Sequence, residues 1–199
     1  MRKVVLQMMT TLNGRLDDPD AWMSGISEDL YREIDRVYGT FDTVLVGSVT
    51  YEEMFAYWPG AEIEKGGSEI NKSMAHKMNA YKKYVFSHGD EERTLDWNNA
   101  QQILAHDDED ITKFVDNLKG QAGGDIHLSG GASLAQSFVR LGLVDQYNLF
   151  VYPVVSAGKT WFDQISDKHG MDLLSATAYE DGVVGLYLRP KEGTSSSHA

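Results

Sequence analysis

Residues 124–162 read GDIHLSGGASLAQSFVRLGLVDQYNLFVYPVVSAGKTWF, and this stretch decides the fold. Its first apolar run, 125–128, is short and β-prone, which predicts a strand. The Ser-Gly-Gly sequence at 129–131 then interrupts the run. Apolar residues recur at helical spacing over 132–141, and a second β-prone run covers 143–155. The stretch therefore predicts a strand, a Gly-Gly turn, a helix and a second strand.

The Gly-Gly turn at Gly130 and Gly131 has two interpretations. Two glycines between a strand and a helix let the backbone approach a ligand closely, and the helix start offers unpaired N–H groups that suit a phosphate. Alternatively, the glycines form a tight turn that requires a positive φ and binds nothing. The turn alone leaves both interpretations open.

Composition excludes several classes of protein. The chain has 199 residues, a net charge of −12 and no cysteine, so no disulfide or thiolate metal site can form. A phosphate backbone would be repelled by this charge, so we expect no nucleic-acid partner. No apolar run is long enough to cross a membrane, and no metal-binding motif is present. We expect a cytoplasmic protein with a single domain at 1–190 and a disordered polar tail at 191–199.

The remaining chain predicts alternating strands and helices. Residues 54–58 form a Met and aromatic cluster that is more often core than pocket, and 59–68 is expected to be a loop. Strands are predicted at 3–9, 41–47, 84–87, 100–105, 171–179 and 183–188, the last two joined as a hairpin at Asp181-Gly182. Helices are predicted after Ser27, from Ser48, and over 69–79 and 111–119.

Several of these motifs occur together in a known family. The Gly130-Gly131-Ala132 turn is followed by Leu134, by GLVD at 142–145 and by PVV at 153–155. Gly47 opens a second motif that continues with Thr50, Tyr51 and Glu52. In this order and spacing the motifs resemble the dihydrofolate-reductase-like superfamily, in particular the reductase domain of bacterial riboflavin synthesis.

The resemblance implies an α/β class and a three-layer fold. Its central sheet is mostly parallel and ends in a C-terminal antiparallel hairpin. It also implies an NADPH-dependent reductase, with NADH as the other usable cofactor, that passes a hydride to a pyrimidine- or pterin-like heterocycle. The substrate would be the ribosylamino-pyrimidine phosphate of riboflavin synthesis, dihydrofolate, or an unassigned compound. The alternative is a nucleotide-binding or interaction protein that kept the fold without turnover.

The resemblance also implies site residues. Glu28 and Asp29 would be the catalytic carboxylates, although both could merely satisfy the dipole of the helix that starts there. Met9, Asn13 and Trp22 would face the substrate. The expected cofactor-binding residues are Gly14, Gly47, Ser48, Thr50, Ser87, His88, Gly130, Gly131, Ala132, Ser133 and Leu134.

Three positions depart from the family pattern. Asn13 replaces an Asp, while Ser48 and His88 replace arginines that commonly hold cofactor phosphates. The missing arginines put a preference for NADPH over NADH in doubt, and they motivate the alternative without turnover. His88 could bind a 2′-phosphate when protonated, although an exposed turn histidine is the simpler interpretation.

Aromatic bulk in the last strands predicts a homodimer. Residues 143–155 and the C-terminal hairpin carry more apolar and aromatic side chains than one face of a strand needs. Exposed apolar patches usually mark an interface, and a two-fold dimer is the commonest solution.

Overall fold

The computed structural model describes residues 1–87, 92–165 and 169–191. Its helices are α1 (Glu28–Tyr38), α2 (Ser48–Ile63), α3 (Glu69–Ala80), α4 (Asp108–Gly120) and α5 (Ala132–Arg140), with a short 3-10 helix at Pro19–Ala21. Its strands are β1 (Val4–Thr11), β2 (Phe41–Gly47), β3 (Lys82–Ser87), β4 (Ala100–Leu104), β5 (Asp125–Gly130), β6 (Gln146–Tyr152), β7 (Met171–Ala178) and β8 (Val184–Pro190).

One sheet contains all eight strands in the order β4-β3-β2-β5-β1-β6-β8-β7. The six strands from β4 to β6 are parallel to their neighbours, whereas β8 runs antiparallel to β6 and β7 antiparallel to β8. The predicted α/β class, the mostly parallel sheet and the C-terminal antiparallel hairpin are confirmed.

Helices cover both faces of the sheet, which makes three layers. One core packs α1, α2 and α3 against the sheet through residues such as Ile34, Tyr51 and Met78. The opposite core packs α4 and α5 through Val115 and Phe138. The central strands are apolar on both faces for this reason, as buried parallel strands generally are.

Two predicted elements differ from the structure. Helix α2 continues through Pro59 to Ile63, so the loop expected at 59–68 begins later than predicted. Strand β6 was expected to expose surplus aromatic bulk, but Tyr147, Phe150 and Tyr152 are all buried. The reason is that β6 lies between β1 and β8 and that its side chains enter the cores on both faces of the sheet.

None of the described helices is long and apolar enough to cross a membrane. The tail expected at 191–199 lies outside the described residues beyond its first position, and so does His88.

Candidate functional site

A cleft of about 1180 Å³ opens at the carboxyl ends of the parallel strands. Its lining includes Met9 near the end of β1, Gly47 at the end of β2, Ser87 at the end of β3 and Gly130 at the end of β5. Open α/β sheets usually bind ligands at this edge, where successive connections leave toward opposite faces. The location of the cleft therefore follows from the strand order of the sheet alone.

Two strand-to-helix turns touch at one end of the cleft. A side chain at Gly131 would place its Cβ 2.8 Å from the hydroxyl oxygen of Thr50, and a Cβ at Gly47 would lie 3.9 Å from the main-chain nitrogen of Gly131. The starts of α2 and α5 are therefore brought together. The peptide bond between Gly130 and Gly131 is cis.

The turn leaves room for a ligand above the backbone. Gly130 has a φ of +96°, which favours glycine, and a Cβ built there would meet no atom within 4 Å. Neither α2 nor α5 has a side-chain cap at its N-terminus. Uncapped N–H groups at two converging helix starts are suited to the phosphates of a nucleotide cofactor. The residues at this end thus fit a dinucleotide.

The other end of the cleft is aromatic and rich in methionine. Trp22 packs edge-on against Tyr152, with ring centroids 5.5 Å apart, and its indole N–H donates to the main-chain oxygen of Asp17 at 3.0 Å. Tyr38 and Trp58 meet at 6.4 Å. Such walls suit a planar ring. The cluster at 54–58, expected in the core, instead supplies Met54, Tyr57 and Trp58 to this lining.

Two buried polar side chains also line the cleft without hydrogen-bond partners in the described structure. These are the amide oxygen of Gln7 and both ring nitrogens of His127. Burial lowers the pKa of His127 to about 4, against a smaller opposing effect from the main chain of Gln7. His127 is therefore a neutral ring at neutral pH. The signal available in the sequence was a lone histidine inside an apolar strand.

Several acidic side chains line the same cleft as Trp22. Asp17, Asp18 and Asp20 line the cleft, and Glu53 does so from α2. Although burial opposes it, hydrogen bonds from the Arg15 side chain and the Lys159 main chain lower the pKa of Asp17. The sequence predicted only a loop here. The acids line the cleft because Arg15 holds the loop through Asp17, Asp18 and Ser156, the last far away in sequence.

Most of the predicted site residues do line one cleft. The residues that the structure brings together are Met9, Trp22, Gly47, Ser48, Thr50, Ser87, Gly130, Gly131, Ala132, Ser133 and Leu134. Lining residues that the sequence reasoning missed include Gln7, Asp17, Asp18, Asp20, Glu53, Tyr57, His127 and Lys159.

Asn13 and Gly14 do not line the cleft, contrary to expectation. The Asn13 amide donates to the main-chain oxygen of Ser156 at 3.0 Å and accepts from its N–H at 3.2 Å. Gly14 has a φ of +82°, and a Cβ there would collide with the ring of Phe162. Both residues fasten the loop after β1 to the segment after β6.

Glu28 and Asp29 also lie elsewhere. Glu28 pairs with Arg32 at the exposed surface. Asp29 accepts from the Ser27 hydroxyl at 2.5 Å and from the N–H of Glu180 at 3.1 Å, and the Ser27 bond is the largest cause of its lowered pKa. It thus ties α1 to the hairpin turn and lines a separate groove. Neither carboxylate lines the cleft in this structure, and the catalytic role expected for them stays a prediction.

Within residues 1–87, 92–165 and 169–191, no group of three or more histidine or acidic side chains is arranged to hold a metal ion.

The sheet order and the cleft define an α/β protein with a cleft at the strand ends, glycine-rich at one end and aromatic at the other. The family model described as "RibD C-terminal domain" matches residues 2–185. The chain belongs to this family, and the predicted resemblance is confirmed.

Relatives extend over nearly the whole chain. "Uncharacterized protein YyaP" of Bacillus subtilis is 29% identical over 186 residues, which are 93% of each chain. A pyrimidine reductase-like protein from Corynebacterium diphtheriae superposes with a TM-score of 0.65 at 15% identity, covering 96% of this chain and 92% of that one. The Thermotoga maritima diaminohydroxyphosphoribosylaminopyrimidine deaminase/5-amino-6-(5-phosphoribosylamino)uracil reductase superposes with a TM-score of 0.64 at 14% identity, covering 96% and 57%. These superpositions show a shared fold.

Proposed function

We propose that the protein is an NAD(P)H-dependent reductase that transfers a hydride to a C=N or C=O bond of a pyrimidine- or pterin-like heterocycle. The observation that carries the proposal is the single cleft that joins the Gly130-Gly131 turn to an aromatic pocket. One end suits a dinucleotide and the other a planar ring, so a cofactor and a substrate can meet between them. Membership in the reductase family supports the same reaction class.

Residues at the glycine-rich end would hold the cofactor. The uncapped N-termini of α2 and α5 donate N–H groups toward the pyrophosphate, and the open space above Gly130 admits it closely. Thr50 stands beside Gly131, within reach of the same phosphates. When bound, the cofactor supplies the hydride, and the protein supplies orientation and electrostatics.

Residues at the aromatic end would orient the acceptor ring and keep water away from it. Met9, Trp22 and Trp58 present flat or flexible apolar surfaces to the ring. Reduction of a C=N or C=O bond also consumes a proton. The acidic groups that line the cleft, including Asp18 and Glu53, are the candidates to deliver it, directly or through water.

The direct test has two steps. Quenching of tryptophan fluorescence by NADPH and NADH reports cofactor binding, since Trp22 and Trp58 line the cleft. Loss of reduced nicotinamide absorbance is then followed with dihydrofolate and with 5-amino-6-ribosylaminouracil, with and without its phosphate. Binding followed by oxidation supports the proposal, whereas failure of both cofactors to bind at millimolar concentration contradicts it.

The second candidate is a nucleotide-binding protein without turnover. The position of Asp29 favours it, because the carboxylate expected to orient the substrate faces the hairpin instead. Tight cofactor binding without oxidation by any tested heterocycle would select this candidate.

A further inference from the structure

Gln7 and His127 lie on one face of the sheet, on adjacent strands. In the register of β1 and β5, Val5 pairs with His127, and Gln7 follows Val5 by two residues. Side chains alternate along a strand, so Gln7 and His127 point to the same face. This is the face covered by α1, which also carries the aromatic pocket. Together the two side chains form a polar floor, defined by Gln7 and His127, beneath that pocket.

Burying the polar atoms of this floor without hydrogen-bond partners costs free energy unless a ligand binds to them. His127 is 1% exposed and Gln7 is 6% exposed, yet the Gln7 amide oxygen and both His127 nitrogens have no hydrogen-bond partner of normal geometry in the described structure. The main chain of Gln7 lies close enough to His127 to raise its pKa, but it does not complete such a bond. A buried polar group without a partner usually needs an explanation, because its lost hydration is not replaced. Both residues line the cleft, and a ligand can supply the missing partners once the side chains that cover these atoms move aside.

The surroundings of His127 fix its orientation. Its ring stacks on Phe41 at 5.0 Å with an interplanar angle of 10°, and it contacts the ring of Tyr38 at 5.4 Å. Because Phe41 covers a face of the His127 ring, hydrogen bonds can form only at the edge of the ring, where its two nitrogens lie. A neutral imidazole offers one donor and one acceptor, and a glutamine amide offers both as well.

We infer that the polar floor recognises the amide or imide edge of an uncharged planar heterocycle whose ring lies against the aromatic pocket. This inference rests on the proposed function, and it deepens it by naming the atoms that select the substrate. An edge of adjacent N–H and C=O groups satisfies Gln7 and His127 together. The acids at Asp17, Asp18 and Asp20 line the same cleft and disfavour an anionic ring.

Calorimetric titration with pteridine-2,4-dione and its 1,3-dimethyl derivative tests this inference. The two probes share one ring system, but methylation removes the N–H groups of the edge. We expect the native protein to bind the unmethylated ring at least about tenfold more tightly. Gln7→Met removes the amide at similar side-chain length, and His127→Phe keeps an aromatic ring to stack on Phe41, so each should abolish that preference. Asn148→Leu is the control, because Asn148 is buried beside Gln7 in register but does not line the cleft.

The outcomes separate this inference from the proposed function. If NADPH fails to bind but the preference exists and is lost in both variants, the reductase proposal fails and the polar floor stands. If the native protein shows no preference, or if folded Gln7→Met and His127→Phe both retain it, the inference is overturned. Circular dichroism establishes folding, and either variant decides the question if the other does not fold.

Discussion

Gly131 is the residue whose size matters most at the glycine-rich end of the cleft. An added Cβ would lie 2.8 Å from the Thr50 hydroxyl, which can rotate, and the φ of −67° suits any residue. We therefore expect Gly131→Asp to fold. The new carboxylate would stand where the cofactor phosphates are proposed to bind, so NADPH affinity should fall by about a hundredfold or more.

Gly60→Asp is the matched control for this change. Gly60 lies in α2, and a Cβ there meets no atom within 4 Å, while the added charge is the same. Fluorescence titration of both variants measures the effect. An undiminished NADPH affinity in folded Gly131→Asp would reject the assignment of this turn to the cofactor.

Ser48 sets the expected cofactor preference. It begins α2 and lines the cleft, at the position where the family commonly has a phosphate-binding arginine. We expect weak discrimination between NADPH and NADH in the native protein. Ser48→Arg should raise the preference for NADPH by about tenfold, and added salt should weaken the gain. Ser48→Gln adds length without charge and should leave the ratio of the two dissociation constants unchanged. A strong native NADPH preference would show that another group recognises the 2′-phosphate.

His127 should make the fold sensitive to acid. Burial lowers its pKa from 6.5 to about 4, so between these values the unfolded chain binds a proton that the folded chain does not. His127 therefore leaves the free energy of unfolding unchanged above pH 6.5. As the pH drops toward 4, it lowers this free energy by on the order of 3 kcal/mol. His127→Phe should lose less stability than the native protein between pH 7 and pH 4.5 in urea unfolding. Equal acid losses in His127→Phe and the native protein would show that His127 does not carry this effect.

At the scale of elements, helix α2 contains a proline that the sequence suggested would end it. Pro59 is inside α2, where a proline removes a hydrogen bond and costs about 3 kcal/mol. Its stiffness lowers the entropy of the unfolded chain, which offsets part of that cost. We expect Pro59→Ala to raise the free energy of unfolding by about 2 kcal/mol. Pro19→Ala is the control, because Pro19 starts a 3-10 helix, a position that suits proline. This substitution should therefore leave the free energy of unfolding nearly unchanged or lower it slightly. A less stable Pro59→Ala would mean that Pro59 makes a compensating contribution to α2.

Local patterns predicted the elements well because their causes are local. The strand, Gly-Gly turn and helix at 125–140 follow from spacing and from two glycines, and the glycine-rich end of the cleft is built from them. The position of the Asp29 side chain could not be predicted in this way. It depends on how α1 packs against the sheet and on a partner, Glu180, that is 151 positions away. The same holds for Asn13, which is held by Ser156 across 143 positions.

At the scale of the whole molecule, strand β7 forms an open edge of the sheet. Among the described strands it pairs only with β8. Its exposed side chains include Leu173 at 59% and Leu174 at 49%. A groove of about 490 Å³ lies between this hairpin and α1, and it is lined by Arg32, Glu33, Arg36 and Leu174 among others. Of the two segments that the sequence suggested, 143–155 and the C-terminal hairpin, the hairpin strand β7 carries the exposed apolar surface, whereas the aromatic residues of β6 are buried.

A homodimer through this end of the sheet remains our prediction. A two-fold axis would place the same apolar residues of two chains against each other. We expect light scattering at micromolar concentration to give twice the chain mass of 22.2 kDa. Leu174→Glu should weaken the dimer by at least about tenfold, because two buried carboxylates would face each other. Ile63→Glu is the control, since Ile63 is 82% exposed on α2 and away from the edge. A native monomer, or a dimer that Leu174→Glu leaves intact and Ile63→Glu disrupts, would place the interface elsewhere or remove it.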